Sequence, residues 1–213
     1  IDKNPDYVVY MDDFTGVALD STNDWTVVKD SSASVAIAAD VVAGAITMSS
    51  QATTDNDGSS IQGNEIFAVA SDKDIWFETK LTPTDAEGDA MDICIGLTVN
   101  FATNPEAMLT AADRIVFQVD DGDSNIDCVT EKDGTATTTD SGVDIASGTA
   151  VTLGFHVKST GSVEFFVNRA LVATHTTNIP DDENLALGAM QLSGSATGTK
   201  SMNVDYIFAA QTR

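Results

Sequence analysis

Along residues 149–176 apolar and polar side chains alternate with a period of two. Val151, Leu153, Phe155 and Val157 interleave with Thr152, Gly154, His156 and Lys158. Only an extended strand sends successive residues to opposite faces, so this stretch is constrained to lie half-buried in a sheet. After the turn Ser159-Thr160-Gly161 the pattern resumes over 163–168 and again over 171–176, which predicts a three-stranded antiparallel meander. Further strands are expected at 75–81, 91–99, 114–119, 126–131 and 202–209. Between the strands stand Asp55-Asn56-Asp57-Gly58, Asp121-Gly122-Asp123 and Lys132-Asp133-Gly134, residues that tolerate the positive φ of tight turns. Many short strands so punctuated predict an all-β, antiparallel two-sheet sandwich. One short helix is expected from Asn104-Pro105-Glu106 to about Ala112, with Asn as cap and Pro in the first helical position. Residues 1–12 read as an extended arm and 13–213 as the sandwich.

The chain has 213 residues, 42% of them hydrophobic. At that length a fold buries roughly 70% of the surface of the unfolded chain, so a core forms without metals or disulfides. Ten Lys and Arg against 33 Asp and Glu give a net charge of −23, which repels nucleic acid and anionic membranes. The acids are spread over loops, as in a solvated shell. No stretch approaches the ~20 apolar residues of a membrane span. The opening Ile1-Asp2-Lys3-Asn4-Pro5 has no signal-peptide pattern, and because it does not begin with Met, a leader trimmed before it stays open. Cys94 and Cys128 sit in apolar runs and read as buried free thiols.

Motifs that carry chemistry are sparse. His156 falls on the outward side of its strand and His175 near a strand end, neither with a Cys or His at ligand spacing; both read as surface histidines without a role. Residues 194–201 imitate a phosphate loop, but Thr199 separates the second glycine from Lys200 and a strand pattern follows where a helix is required. Sandwich glucanases carry acids alternating along one strand, and no strand here shows that array; with no nucleophile elbow either, no catalysis and no cofactor are expected. Asp121, Asp123, Asn125 and Asp127 begin like a calcium loop, yet Ile126 and Lys132 occupy the positions of its glycine and its glutamate. A looser calcium site at Asp121, Asp123 and Asp127, or at Asp55 and Asp57, is the metal alternative to plain turns.

Two surfaces are candidates for contacts. Tyr7-Val8-Val9-Tyr10-Met11 is apolar on both sides of a strand, so it either docks on a partner's sheet edge or forms the first strand of its own sandwich. Trp76 shares a strand face with Glu78 and Lys80, opposite Ile75, Phe77, Thr79 and Leu81. Burial between the sheets is the plainer expectation for it; exposed beside Phe166, it would instead mark a glycan-binding face.

Several segments together resemble the concanavalin-A-like or laminin-G-like jelly-roll superfamily. They are Asp13-Phe14 with Leu19-Asp20 and Trp25, then Gly44-Ala45-Ile46-Thr47-Met48, the hairpin from Gly161 to Asn168 followed by Ala170-Leu171-Val172, and Val204-Asp205-Tyr206-Ile207. Arg169 stands where the family has the glycine of an Asn-Gly turn, which implies a looser hairpin. The segments 25–30, 96–105 and 176–183 are similar to structural proteins of tailed bacteriophages. That resemblance implies a capsid decoration protein on the virion surface, assembled in the host cytoplasm. Its implied partners are the major capsid protein and further copies of itself, as a dimer or trimer. The alternative is a carbohydrate-binding or adhesion module of a phage tail or a secreted protein.

Overall fold

The computed structural model describes residues 5–30, 32–39, 41–50, 54–84, 91–101, 103–194 and 199–213. Its strands are β1 (Tyr7–Asp12), β2 (Thr26–Lys29), β3 (Ser34–Ile37), β4 (Ile46–Ser50), β5 (Gly58–Ala68), β6 (Ile75–Thr84), β7 (Met91–Thr98) and β8 (Arg114–Val119). They continue as β9 (Asn125–Lys132), β10 (Thr135–Asp144), β11 (Val151–Lys158), β12 (Ser162–Val167), β13 (Ala170–His175), β14 (Asn184–Ser193) and β15 (Lys200–Thr212). The described residues form two antiparallel sheets. The first runs β13-β12-β11-β6-β15-β4-β3, with β1 also paired to β15; the second runs β10-β9-β8-β7-β14-β5-β2. This is the two-sheet sandwich the alternation implied, in the jelly-roll form the resemblance implied, and β11-β12-β13 is the expected meander.

The alternating apolar residues of both sheets meet in one core. Phe155 of β11 lies opposite Phe77 of β6 and Phe165 of β12, and the Phe77 and Phe155 rings stack at 4.7 Å. From the second sheet, Phe117 of β8 meets Phe165 edge-on at 5.4 Å. Each such side chain, moved from water into the core, contributes about 1.5–3 kcal/mol, so this aromatic cluster fastens one sheet to the other.

The central strands of the second sheet are buried on their outer face as well. A short 3-10 turn at Pro105–Met108, capped where Asn104 Oδ1 accepts the Glu106 amide at 3.1 Å, lies over β14 and β5. Phe101 and Met108 pack there on Cys94, Val116, Val129, Met190 and Leu192. Gly188 makes the packing feasible, since a Cβ there would stand 2.7 Å from the Phe101 ring. The expected helix to Ala112 is therefore one turn only, because Leu109 already closes it and the chain then dives to place Arg114 in β8. Arg114 fixes the cover by donating to Met108 O at 3.1 Å and to Glu131 Oε2 at 2.7 Å.

Three further expectations are corrected. Residues 7–12 are not an arm apart from the sandwich: Tyr7 through Asp12 pair with Thr212 through Ile207 of the chain's own β15. Tyr10 turns inward, edge-on to Trp25 at 5.5 Å, and Trp25 Nε1 donates to Asp12 Oδ2 at 2.8 Å. Residues 1–4 of the proposed arm lie outside the described residues. His175 is buried, its ring bridging Thr130 Oγ1 at 2.9 Å and Thr139 Oγ1 at 3.0 Å across the two sheets. The hairpin at Arg169 is tight: Val167 pairs with Ala170 around a two-residue turn. Cys94 and Cys128 are free and buried, the first in the outer cluster and the second in the main core, with β8 between their strands.

Candidate functional site

Among the described residues nothing covers the outer face of the first sheet in this way, and its composition follows from strand register. One row across it reads Met11 of β1, Phe208 of β15, Glu78 of β6, Gly154 of β11, Phe166 of β12 and Leu171 of β13. The next row reads Val9, Ala210, Trp76, His156, Glu164 and Thr174. Met11 and Leu171, at the two ends of the first row, are more than half exposed. Between them lies a hollow of about 420 Å³ lined by Trp76, Glu78, His156, Phe166, Arg169 and Phe208. Gly154 forms its floor; a Cβ at that position would stand 3.0 Å from Phe77 O and 3.8 Å from the Glu78 side chain. Trp76 is thus not between the sheets: odd-numbered residues of β6 point inward, and Trp76 shares the hollow with Phe166.

The polar groups of the hollow are held in place. His156 stacks on Trp76 with centroids 5.0 Å apart and planes within 13°, and its Nε2 lies 3.0 Å from Asp74 Oδ2. This histidine has a structural task that its strand position alone did not reveal. Tyr7 of β1 also meets Trp76, tilted by 56° with ring centroids 6.2 Å apart. Glu78 Oε1 accepts the Tyr206 hydroxyl at 2.7 Å, and Glu78 Oε2 faces Arg169 Nε at 3.9 Å. Burial, then the Glu78 carboxylate, pushes the Tyr206 phenol well above its usual range, so the phenol keeps its proton and donates it. Flat apolar rings beside a carboxylate, a guanidinium and a phenol form a surface suited to a ligand with an apolar face and polar edges.

The other candidate residues scatter. Asp123 Oδ1 accepts the Asn125 amide at 3.0 Å within its own turn, while the Asp121 amide donates to Asp92 Oδ1 at 2.8 Å. Burial, followed by the carboxylates of Asp120, Asp140 and Asp123, raises the pKa of Asp127. Among the described residues no three His, Cys, Asp or Glu side chains stand so as to hold a metal, so Asp121, Asp123 and Asp127 are not assembled into a calcium site, nor are Asp55 and Asp57. Asn56 in the latter turn takes a φ of 62°, as a plain turn requires. Of the phosphate-loop imitation, 195–198 lie outside the described residues, and Lys200 opens β15.

Tyr206, Arg169 and Phe208 were not singled out as site residues from sequence. Tyr206 is 128 positions from Glu78, and only the pairing of β15 with β6 joins them.

Solved structures of the same architecture are numerous. SO2946 of Shewanella oneidensis MR-1, described as a protein of unknown function, matches with a TM-score of 0.66 at 17% identity over 97% of this chain and 87% of its own. The catalytic domain of an endo-1,3-β-glucanase (laminarinase) from Thermotoga petrophila matches with a TM-score of 0.66 at 12% identity, covering 98% and 99%. An endo-β-1,4-glucuronan lyase from the fungus Trichoderma reesei gives 0.64 at 11% identity, covering 94% of each chain. At such identities the likeness establishes the concanavalin-A-like jelly-roll fold. It also corrects the expectation of a chain that does not catalyse, because glycoside hydrolases and polysaccharide lyases stand on this same frame. Nothing in these matches supports a virion role, and no curated protein matches the chain. The model of the SO2946-like, C-terminal domain family matches residues 41–205, and the chain belongs to that family.

Proposed function

We propose that this domain is a carbohydrate-active protein that binds a polysaccharide chain across the outer face of its first sheet. The carrying observation is the uncovered hollow in which Trp76, Phe166 and Phe208 surround Glu78 and Arg169 over the bare backbone of Gly154. A pyranose ring offers a C–H face to aromatic side chains and hydroxyl edges to charged ones, and this surface provides both partners. The jelly-roll frame shared with a laminarinase and a glucuronan lyase supports the same reading.

The test is binding of the full chain to a panel of soluble neutral and acidic polysaccharides, with W76A in parallel. Wild type is expected to bind at least one member, and W76A about tenfold more weakly, equivalent to roughly 1.4 kcal/mol. A wild type that binds none, or a W76A that binds equally, refutes the proposal. The same panel, assayed for new reducing ends and for unsaturated ends, reads hydrolysis and elimination, with E78Q testing the carboxylate in the hollow.

A further inference from the structure

We propose that Arg169 is the specificity residue of this hollow and that it reads the carboxylate of an acidic saccharide, a uronate. The inference rests on the saccharide-binding reading of the face and narrows it.

The turn between β12 and β13 has both central residues in the left-handed region, Asn168 at φ 50° and Arg169 at φ 66°. That geometry favours Asn followed by Gly. Asn168 suits its place and is locked there: its amide donates to Thr152 O at 2.7 Å, and its Oδ1 accepts the Thr152 amide at 3.1 Å. Arg169 has no such reason. A long side chain at this φ carries strain that glycine would not, and strain of this kind is retained where a ligand site needs the residue.

What arginine adds at this position is a cation over the hollow. Its side chain is 80% exposed, and its carboxylate neighbour Glu78 stands 3.9 Å away, beyond hydrogen-bond range. Lys80, Lys132 and Lys158, by contrast, each contact a carboxylate at hydrogen-bond distance, Asp205, Asp181 and Glu164 respectively. Glu78 is occupied by Tyr206, so it orients the guanidinium without consuming the fork. A planar fork with open donors matches a carboxylate in bidentate fashion. A ligand bearing hydroxyls alone could take its polar contacts from Glu78 and would not require a cation here as well, and Asn-Gly would close the same turn without strain. The net charge of −23 opposes a polyanion at long range, but that field is screened within about 8 Å at physiological ionic strength, whereas the ion pair forms in contact.

The experiment compares, by calorimetry on the full chain, an oligoglucuronate with the same oligosaccharide after its carboxyls have been reduced to alcohols. Wild type is expected to bind the acidic form at least tenfold tighter. R169G is expected to lose that preference and gain about 2–4 °C in Tm as the turn relaxes, and R169K to keep part of the preference through its point charge. A preference for the reduced chain, equal binding of both, or a preference that survives in R169G overturns the assignment while leaving the face a saccharide site. An R169G with no gain in Tm overturns the argument from strain. If neither form binds, this assignment falls, and the saccharide reading of the face stands or falls separately on the polysaccharide panel.

Discussion

Asp92 offers a sharp test of how burial sets stability here. It lies on the covered face of the second sheet opposite Leu192, with 4% of its surface exposed. Its Oδ1 accepts the Asp121 amide at 2.8 Å, while its Oδ2 is buried without a hydrogen-bond partner among the described residues. Burial, against the opposing pull of that amide and with help from the carboxylates of Asp121, Asp120 and Asp55, pushes its pKa from the usual 3.8 up to about 6. A folded-state pKa above the unfolded one means that the native protein holds the proton longer. The stabilising contribution is then complete below pH 3.8 and is lost as pH rises through about 6. At about 1.4 kcal/mol per pH unit across that window, the loss amounts to about 3 kcal/mol. D92N keeps an acceptor for the Asp121 amide and stays neutral throughout. It introduces an unpaired buried N–H worth about 1–3 kcal/mol, but that offset does not change with pH. Urea unfolding of both proteins between pH 4 and pH 8 is therefore expected to show D92N gaining about 2–3 kcal/mol on wild type as pH rises, whatever the offset. Parallel pH profiles for the two proteins would refute the reasoning.

Removing the carboxylate in E131A leaves the Arg114 guanidinium buried with the neutral partners Met108 O, Gln118 Oε1 and the Cys94 thiol, and denaturant unfolding should register a loss of about 3–5 kcal/mol; a loss under 1 kcal/mol would mean the ion pair is not desolvated. His175 has its pKa lowered by burial between the sheets, so its contribution is present above the unfolded value of about 6.5 and is lost as pH falls below it. H175Q should flatten the acidic limb of the Tm–pH profile, and an unchanged limb would remove His175 as its cause.

Much of the frame could be read along the chain. The period of two in β6 and β11 placed Trp76 with Glu78 and Lys80, and His156 with Thr152, on one face of each strand, because side-chain direction in a strand depends on the local backbone alone. The Asp133-Gly134 pair was legible as a turn for the same reason, and both residues take positive φ. Strands β2 to β5, β10 and β14 escaped this reading. β14 is covered on both faces and so carries no alternation to detect, and β10 is a Thr-rich edge with few apolar residues to mark an inner face.

The hollow was decided only by the tertiary structure. Periodicity shows which face a residue takes but not which strand lies beside it. β6 is flanked by β11 and β15, which begin about 75 and 125 residues after it in the chain. That pairing puts Phe208, Glu78, Gly154 and Phe166 in one row, brings Tyr206 to Glu78, and sets the Asn168–Arg169 turn over the space Gly154 leaves open. Each of those contacts depends on a register fixed by the burial of the opposite face, where Phe77, Phe155 and Phe165 must meet Phe117. The sequence settled which side chains could look outward; the packing of the inward ones settled which of them look at each other.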